Sequence, residues 1–185
     1  MSQAVEIAAR VIAALNQSGI NHMLVGAFSR NAYAHARATQ DAALVISLSG
    51  HSLTELMTAL GPEFSLEAQT TFETNTGTYR DTIIAKESGF KIELFHLSSD
   101  QHDQERFKRR QPTRFAGHPT FIPTPEDVIL AKLRWLRTKD REDIKDILAF
   151  LDPSTLDWNY LNHWATIHNT RAKLEELRAQ VPKVD

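Results

Sequence analysis

Leu24-Val25-Gly26-Ala27-Phe28-Ser29-Arg30-Asn31-Ala32-Tyr33-Ala34-His35-Ala36-Arg37-Ala38-Thr39-Gln40-Asp41-Ala42-Ala43-Leu44-Val45-Ile46 is the stretch around which the rest of the chain is arranged. An apolar run ends at Gly26. Residues from Ala27 to about His35 read as a helix. A polar corner, Arg37 to Asp41, opens a second run, Ala43 to Ser47, too short for a helix and rich in β-branched residues. The order is strand, turn, helix, loop, strand. Gly26 permits close backbone approach, and a helix start leaves N–H groups free to meet an anion.

Before this stretch, residues 2–18 predict a helix, with Ala4, Ala8, Val11, Ile12 and Leu15 on one face and Gly19 as its stop. His22 to Val25 is a strand. After it, Ser52-Leu53-Thr54-Glu55 is a capping box that opens a helix from Leu53 to Leu60, ended by Gly61-Pro62. Phe64 to Ala68 fits strand or loop, and polar Thr70 to Gly77 reads as a loop. Thr78 to Ala85 and Lys91 to Leu97 are hairpin partners across the turn Glu87-Ser88-Gly89. Charged Ser98 to Arg110 starts a short helix near Asp103. Thr113–Phe115 and Thr120–Ile122 form a small hairpin about Gly117.

Thr124-Pro125-Glu126-Asp127 supplies a cap, a proline at the first helical position and acids in the first turn, so a helix runs to about Arg137. Three more helices follow. Ile144, Ile147, Leu148 and Leu151 mark one. Leu161, Trp164, Ala165 and His168 mark the next. Leu174, Leu177 and Val181 mark the last, with Thr170 as its cap. The expected organisation is an α/β core over 1–123 and a helical extension over 124–185 packed on it.

With 185 residues the chain can bury one sizeable core. Apolar content of 42% and charged content of 24% fit a globular protein. A net charge of −2 argues against a general nucleic-acid-binding surface. The absence of cysteine removes disulfides and thiolate metal sites. No apolar run approaches the ~20 residues that span a bilayer, and the first residues lack a signal-peptide layout. The expectation is a cytoplasmic protein with no membrane partner.

The central stretch resembles the nucleotidyltransferases of the DNA polymerase beta superfamily, especially their small bacterial members. Gly26 matches the first residue of the family's Gly-Gly or Gly-Ser pair. Arg37, Thr39 and Asp41 match its Arg-x-Thr-x-Asp-x-Asp motif. Two positions depart: Ala27 replaces the second Gly or Ser, and Ala43 replaces the second Asp. The resemblance implies an α+β fold, a mixed β-sheet with helices packed on it followed by a C-terminal helical region.

It also implies a chemistry. Nucleotidyl transfer uses two metal ions about 3.5–4 Å apart, and magnesium takes oxygen ligands. Residues two apart on a strand face the same way, so Asp41 and position 43 point together. Glu93, a lone charge between Ile92 and Leu94, stands where the family places a third acid. Asp41 and Glu93 are therefore the candidate catalytic and metal-binding residues, with one ligand lost at Ala43. Gly26, Ala27, Ser29, Arg37, Thr39 and Lys132 are the candidate nucleotide-binding residues.

Several of these positions carry alternatives. The Ser29 hydroxyl meets phosphate or packs within its helix. Arg37 meets phosphate or ties the loop to a carboxylate. Lys132 falls on the apolar face of its helix, so it snorkels or reaches a triphosphate. Asp140 and Asp143 are read as a cap and a first-turn acid. Arg106-Phe107-Lys108-Arg109-Arg110 is read as a solvated helix end that offsets Asp100, Asp103 and Glu105, against contact with RNA or nucleotide. His163 and His168 are read as packing residues.

The resemblance thus implies a nucleotidyltransferase-fold protein with impaired catalysis, a pseudoenzyme that binds a nucleotide or a protein partner. NTP is the candidate ligand, and magnesium binding is weakened. One alternative is an active Mg2+-dependent enzyme moving a nucleoside monophosphate from NTP to a hydroxyl. Another is one component of a toxin–antitoxin module.

Overall fold

The computed structural model describes residues 2–39 and 41–181; Met1, Gln40 of the polar corner and the end of the helical extension, 182–185, lie outside the described residues. In chain order the elements are α1 (Gln3–Gln17), β1 (Asn21–Val25), α2 (Gly26–Arg30), β2 (Asp41–Ser47), α3 (Leu53–Leu60), β3 (Phe64–Leu66), β4 (Thr71–Glu73), β5 (Thr78–Ala85) and β6 (Phe90–His96). Then come α4 (Gln101–Arg109), β7 (Gln111–Phe115), β8 (His118–Ile122), α5 (Pro125–Trp135), α6 (Thr138–Phe150), a 3-10 turn (Pro153–Thr155), α7 (Trp158–Ile167) and α8 (Arg171–Ala179).

The main sheet runs β1-β2-β6-β5-β3, with β4 also paired to β5. It is mixed. β2 and β6 are parallel, and the other pairs are antiparallel. Register sorts its two faces. Leu24, Leu44, Ile46, Ile92, Leu94 and Ile83 share one face and join Val11, Ile12 and Leu15 of α1 and Leu56 of α3 in the larger core. The other face carries Asp41, Ala43, Val45, Glu93 and Phe95. Met23, Val45 and Phe107 of α4 pack together on it. A second core binds α5 to α8, built on Ile129, Leu133, Ile144, Ile147, Leu161, Trp164, Leu174 and Leu177.

Local signals explain most boundaries. The Ser52–Glu55 capping box is complete, with Glu55 N to Ser52 Oγ at 3.3 Å and Ser52 N to Glu55 Oε2 at 2.7 Å. Thr124 Oγ1 accepts from Asp127 N at 3.3 Å and opens α5.

The structure corrects five expectations. The helix after Gly26 ends at Arg30, not near His35. The Arg30 guanidinium is buried and bonds the His35 carbonyl and Asp146, so the chain curls around it. Thr71–Glu73 is a strand rather than loop, because the Glu73 carboxylate takes the N–H groups of Asn75 and Thr76 and turns the chain back onto β5. α4 starts two residues early, with Asp100 accepting from Asp103 N at 3.0 Å. α6 starts at Thr138, which moves Asp143 from a first turn to mid-helix. Thr170 precedes α8 without a side-chain cap; its hydroxyl lies 3.4 Å from the Ala165 carbonyl instead.

Candidate active site

A cleft of about 260 Å³ opens between the second face of the sheet and helices α4, α5 and the start of α6. The candidate catalytic and nucleotide-binding positions all line it: Gly26, Ala27, Ser29, Arg37, Thr39, Asp41, Glu93 and Lys132, together with Ala43.

The parallel pairing of β2 and β6 sets its floor. Ala43 lies directly opposite Glu93, and Asp41 is two residues earlier on the same face. Thr39 Oγ1 donates to Asp41 Oδ1 at 3.1 Å and to the Asp41 carbonyl at 3.0 Å, which fixes the corner. Gly26 has φ +69°, a backbone conformation that disfavours a side chain. A Cβ placed on it would lie 3.4 Å from the Ala43 Cβ. The start of α2 therefore rests against the methyl group of Ala43.

Glu93 is already engaged. Arg80 Nη1 on β5 donates to Glu93 Oε1 at 2.6 Å. Burial pushes the Glu93 carboxyl up, Arg80 pulls it down, and Asp41 pushes it up again; the net direction is upward. Asp41 and Glu93 thus lie close enough to feel each other's charge. They are two carboxylates, one paired to a guanidinium, with a methyl between them and α2. That donor set falls short of what two magnesium ions require.

Three of the candidate nucleotide-binding residues are used internally. Ser29 is buried and donates to the Gly26 carbonyl at 3.1 Å. Arg37 grips Asp143 with two parallel bonds, Nε to Oδ1 at 3.0 Å and Nη2 to Oδ2 at 2.8 Å. Lys132 Nζ donates to Asp143 Oδ2 at 2.6 Å and lies 3.5 Å from Asp140 Oδ1. Arg30 Nε stands 3.1 Å from Asp143 Oδ1 as an ion pair without hydrogen-bond alignment. Burial opposes ionisation of Asp143, but the bonds from Arg37 and Lys132 outweigh it and hold the carboxyl below its ordinary range. Asp143 is a hub for cations from α2, the polar corner and α5.

Arg137 and Lys139 also line the cleft, and their charges reach Glu93; Arg106 and Arg134 line it as well, paired to Asp103 and Asp100. Arg137 also donates from Nε to Asp140 Oδ2 at 2.7 Å, and the same carboxylate accepts from Arg137 N at 3.1 Å at the start of α6. The arginines of the basic cluster are packed, while Lys108 is exposed. Arg106 is buried 3.0 Å from Asp103, Arg109 stacks 3.8 Å over Tyr160, and Arg110 stacks 4.1 Å over Phe107.

No family model and no curated protein matches the chain. Solved structures do. A nucleotidyltransferase-like antigenic protein from Paracoccidioides brasiliensis superposes with a TM-score of 0.58 at 16% identity, over 99% of this chain and 95% of its own. The chain has the nucleotidyltransferase-like fold. Looser matches are JHP933 from Helicobacter pylori (TM-score 0.48, 13% identity, 98% and 93% covered) and ANT(2'')-Ia in complex with adenylyl-2''-tobramycin (0.49, 14%, 96% and 96%).

Within this nucleotidyltransferase-like fold, sequence reasoning missed Arg80, the hub role of Asp143 and the buried Asp127. Arg80 was findable. The turn at Glu87–Gly89 sets the β5–β6 register, which puts Arg80 and Glu93 on one face. Asp127 is fully buried, and it accepts from Tyr160 OH at 2.7 Å, lies 3.0 Å from Thr124 Oγ1 and pairs with His102 Nε2 at 3.1 Å. A first-turn acid gives no sequence sign of such burial.

Proposed function

We propose that the cleft binds a nucleotide, that its phosphates are held by cationic side chains rather than by a metal pair, and that the chain does not perform two-metal nucleotidyl transfer. The observation that carries this reading is the Arg80–Glu93 ion pair beside the Ala43 methyl. Transfer requires a hydroxyl made nucleophilic and a pyrophosphate leaving group whose charge is neutralised. Ala43 brings no oxygen to either task, and Glu93 already shares its charge with a guanidinium. Lys139 stands exposed at the cleft with positive charge, and Arg137, half-exposed beside it, would meet phosphate by exchanging its two-point grip on Asp140.

The second reading, an active magnesium enzyme, is favoured by one observation: Asp41 and Glu93 do lie together on one face. A single experiment separates the two. ATP and GTP are titrated calorimetrically into the chain in chelator and again in magnesium, and labelled nucleotide is followed for transfer to any acceptor. The expected result is binding in chelator, little changed by magnesium, and no transfer. Binding that needs magnesium, or label transfer, overturns the proposal in favour of the active enzyme. Absence of binding to either nucleotide overturns it in favour of a protein partner.

A further inference from the structure

Away from the carboxylates of the cleft floor, Asp100, His102 and His168 converge where the start of α4 meets the end of α7. Their candidate ligand atoms all lie within 4.8 Å of one another. The His102 and His168 rings are 4.8 Å apart between centroids, at 68°. Both ring nitrogens of His168 are shielded from solvent and make no hydrogen bond to the protein. Buried polar atoms are seldom left so, and two on one imidazole call for a partner.

The neighbours are arranged as they are around metal ligands. His102 is buried, and its Nε2 is paired to Asp127 Oδ1. A proton on Nε2 leaves the lone pair of the neutral ring on Nδ1. Asp127 is itself fixed by Tyr160 and Thr124, and a carboxylate behind an imidazole is the usual support of a metal-bound histidine. Asp100 accepts from Asp103 N and from Arg134 Nη1, and both bonds fall on Oδ1, leaving Oδ2 for a ligand.

We propose that Asp100, His102 and His168 bind a divalent transition-metal ion of the zinc class, with water completing the coordination. Two imidazoles and one carboxylate suit zinc rather than magnesium, which prefers an all-oxygen shell. Tetrahedral ligands about 2.0–2.1 Å from zinc are about 3.3 Å apart, so the three side chains close by up to about 1.5 Å on binding. His168 sits at the C-cap of α7 and is partly exposed, which leaves it room to swing. Arg134 beside Asp100 weakens the site, while Asp103 and Asp127 offset it. The bound ion would clamp α4 to α7, and thereby the sheet to the helical extension.

The test uses the full chain, stripped of metal and titrated with zinc chloride, and separately with cobalt chloride under visible absorption. The expected result is one equivalent bound per chain, cobalt bands of low-coordinate type, and a higher Tm with zinc. His168→Leu keeps the bulk and removes both nitrogens, and Asp100→Asn keeps a capping oxygen. Each is expected to melt near the wild-type temperature without metal and to lose at least about tenfold in zinc affinity. Zinc binding that is absent in the wild type, or unchanged in both variants, overturns the proposal. If the variants do not fold, cobalt broadening of histidine NMR signals in the wild type decides. Broadening at His102 and His168 supports the site, and broadening confined to other histidines overturns it.

Discussion

Ala43 is the residue on which the proposed loss of two-metal chemistry turns, since it brings a methyl to the sheet face that carries Asp41 and Glu93. Its methyl lies against Gly26, and its strand partner is Glu93. Ala43→Asp would place three acids on one sheet face, with Arg80 as the nearest compensating charge. Like charges side by side destabilise the fold until a cation joins them. The expected outcome is a lower Tm in chelator, recovery in magnesium, and a measurable rise in magnesium affinity by calorimetry. An unchanged affinity would mean that Arg80 blocks the site regardless of the third acid. At this scale the sequence was informative about identity and only in part about pairing. Asp41, Ala43 and Glu93 were readable because strand alternation puts them on one face. The structural alternatives for Ser29 and Arg37, packing within the helix and tying the loop to a carboxylate, were readable, but that Arg37 and Lys132 share one acid, Asp143, was not, because it lies 106 residues beyond Arg37.

Elements meet through charge as well as through apolar packing. α2, the polar corner, α5 and α6 are joined at Asp143, whose side chain is 3% exposed. Removing the acid leaves Lys132 buried without its main counter-charge and Arg30 with Asp146 alone, whereas removing Arg37, 40% exposed, frees a group that water can reach. Asp143→Ala is therefore expected to lower stability by about 3–5 kcal/mol, as for a broken buried ion pair. Arg37→Ala should cost distinctly less. Chemical denaturation of both variants checks the order, and equal losses would argue that the hub is only peripheral. Helix starts with a local cap, such as Ser52 and Thr124, were legible in the sequence. α6 was not, since its apolar pattern begins at Ile144 while its first turn is held by Arg137 and Asp140. The end of α2 was hidden for a similar reason: it depends on a partner, Asp146, on another element.

For the whole molecule the same hub sets a response to acid. The Asp143 carboxyl titrates below its unfolded value, so the folded state holds fewer protons there than the unfolded state. The stability it contributes is complete above the unfolded carboxylate range, near pH 3.9, and is lost as pH falls through the folded value. Arg30, Arg37 and Lys132 face it as cations and Asp140 as an acid. Melting profiles between neutral pH and pH 3 should show a steep loss at the acid end, and Asp143→Asn should flatten it. A profile of equal slope in the variant would assign the acid lability elsewhere. The fold class was legible because alternation, capping and the Gly26–Asp41 spacing agree with one another. The joining of the two cores was not, because no local pattern records an ion pair between distant segments.

The parallel partnership of β2 with β6 carries one more consequence. A parallel neighbour cannot be reached by a tight turn, and here 42 residues separate the end of one strand from the start of the other. As the polypeptide leaves the ribosome, Asp41 is therefore exposed long before Glu93 exists, and Arg37 waits longer still for Asp143. Strand, corner and glycine step emerge early, yet the crevice they serve is completed only once the chain has been made through Asp143.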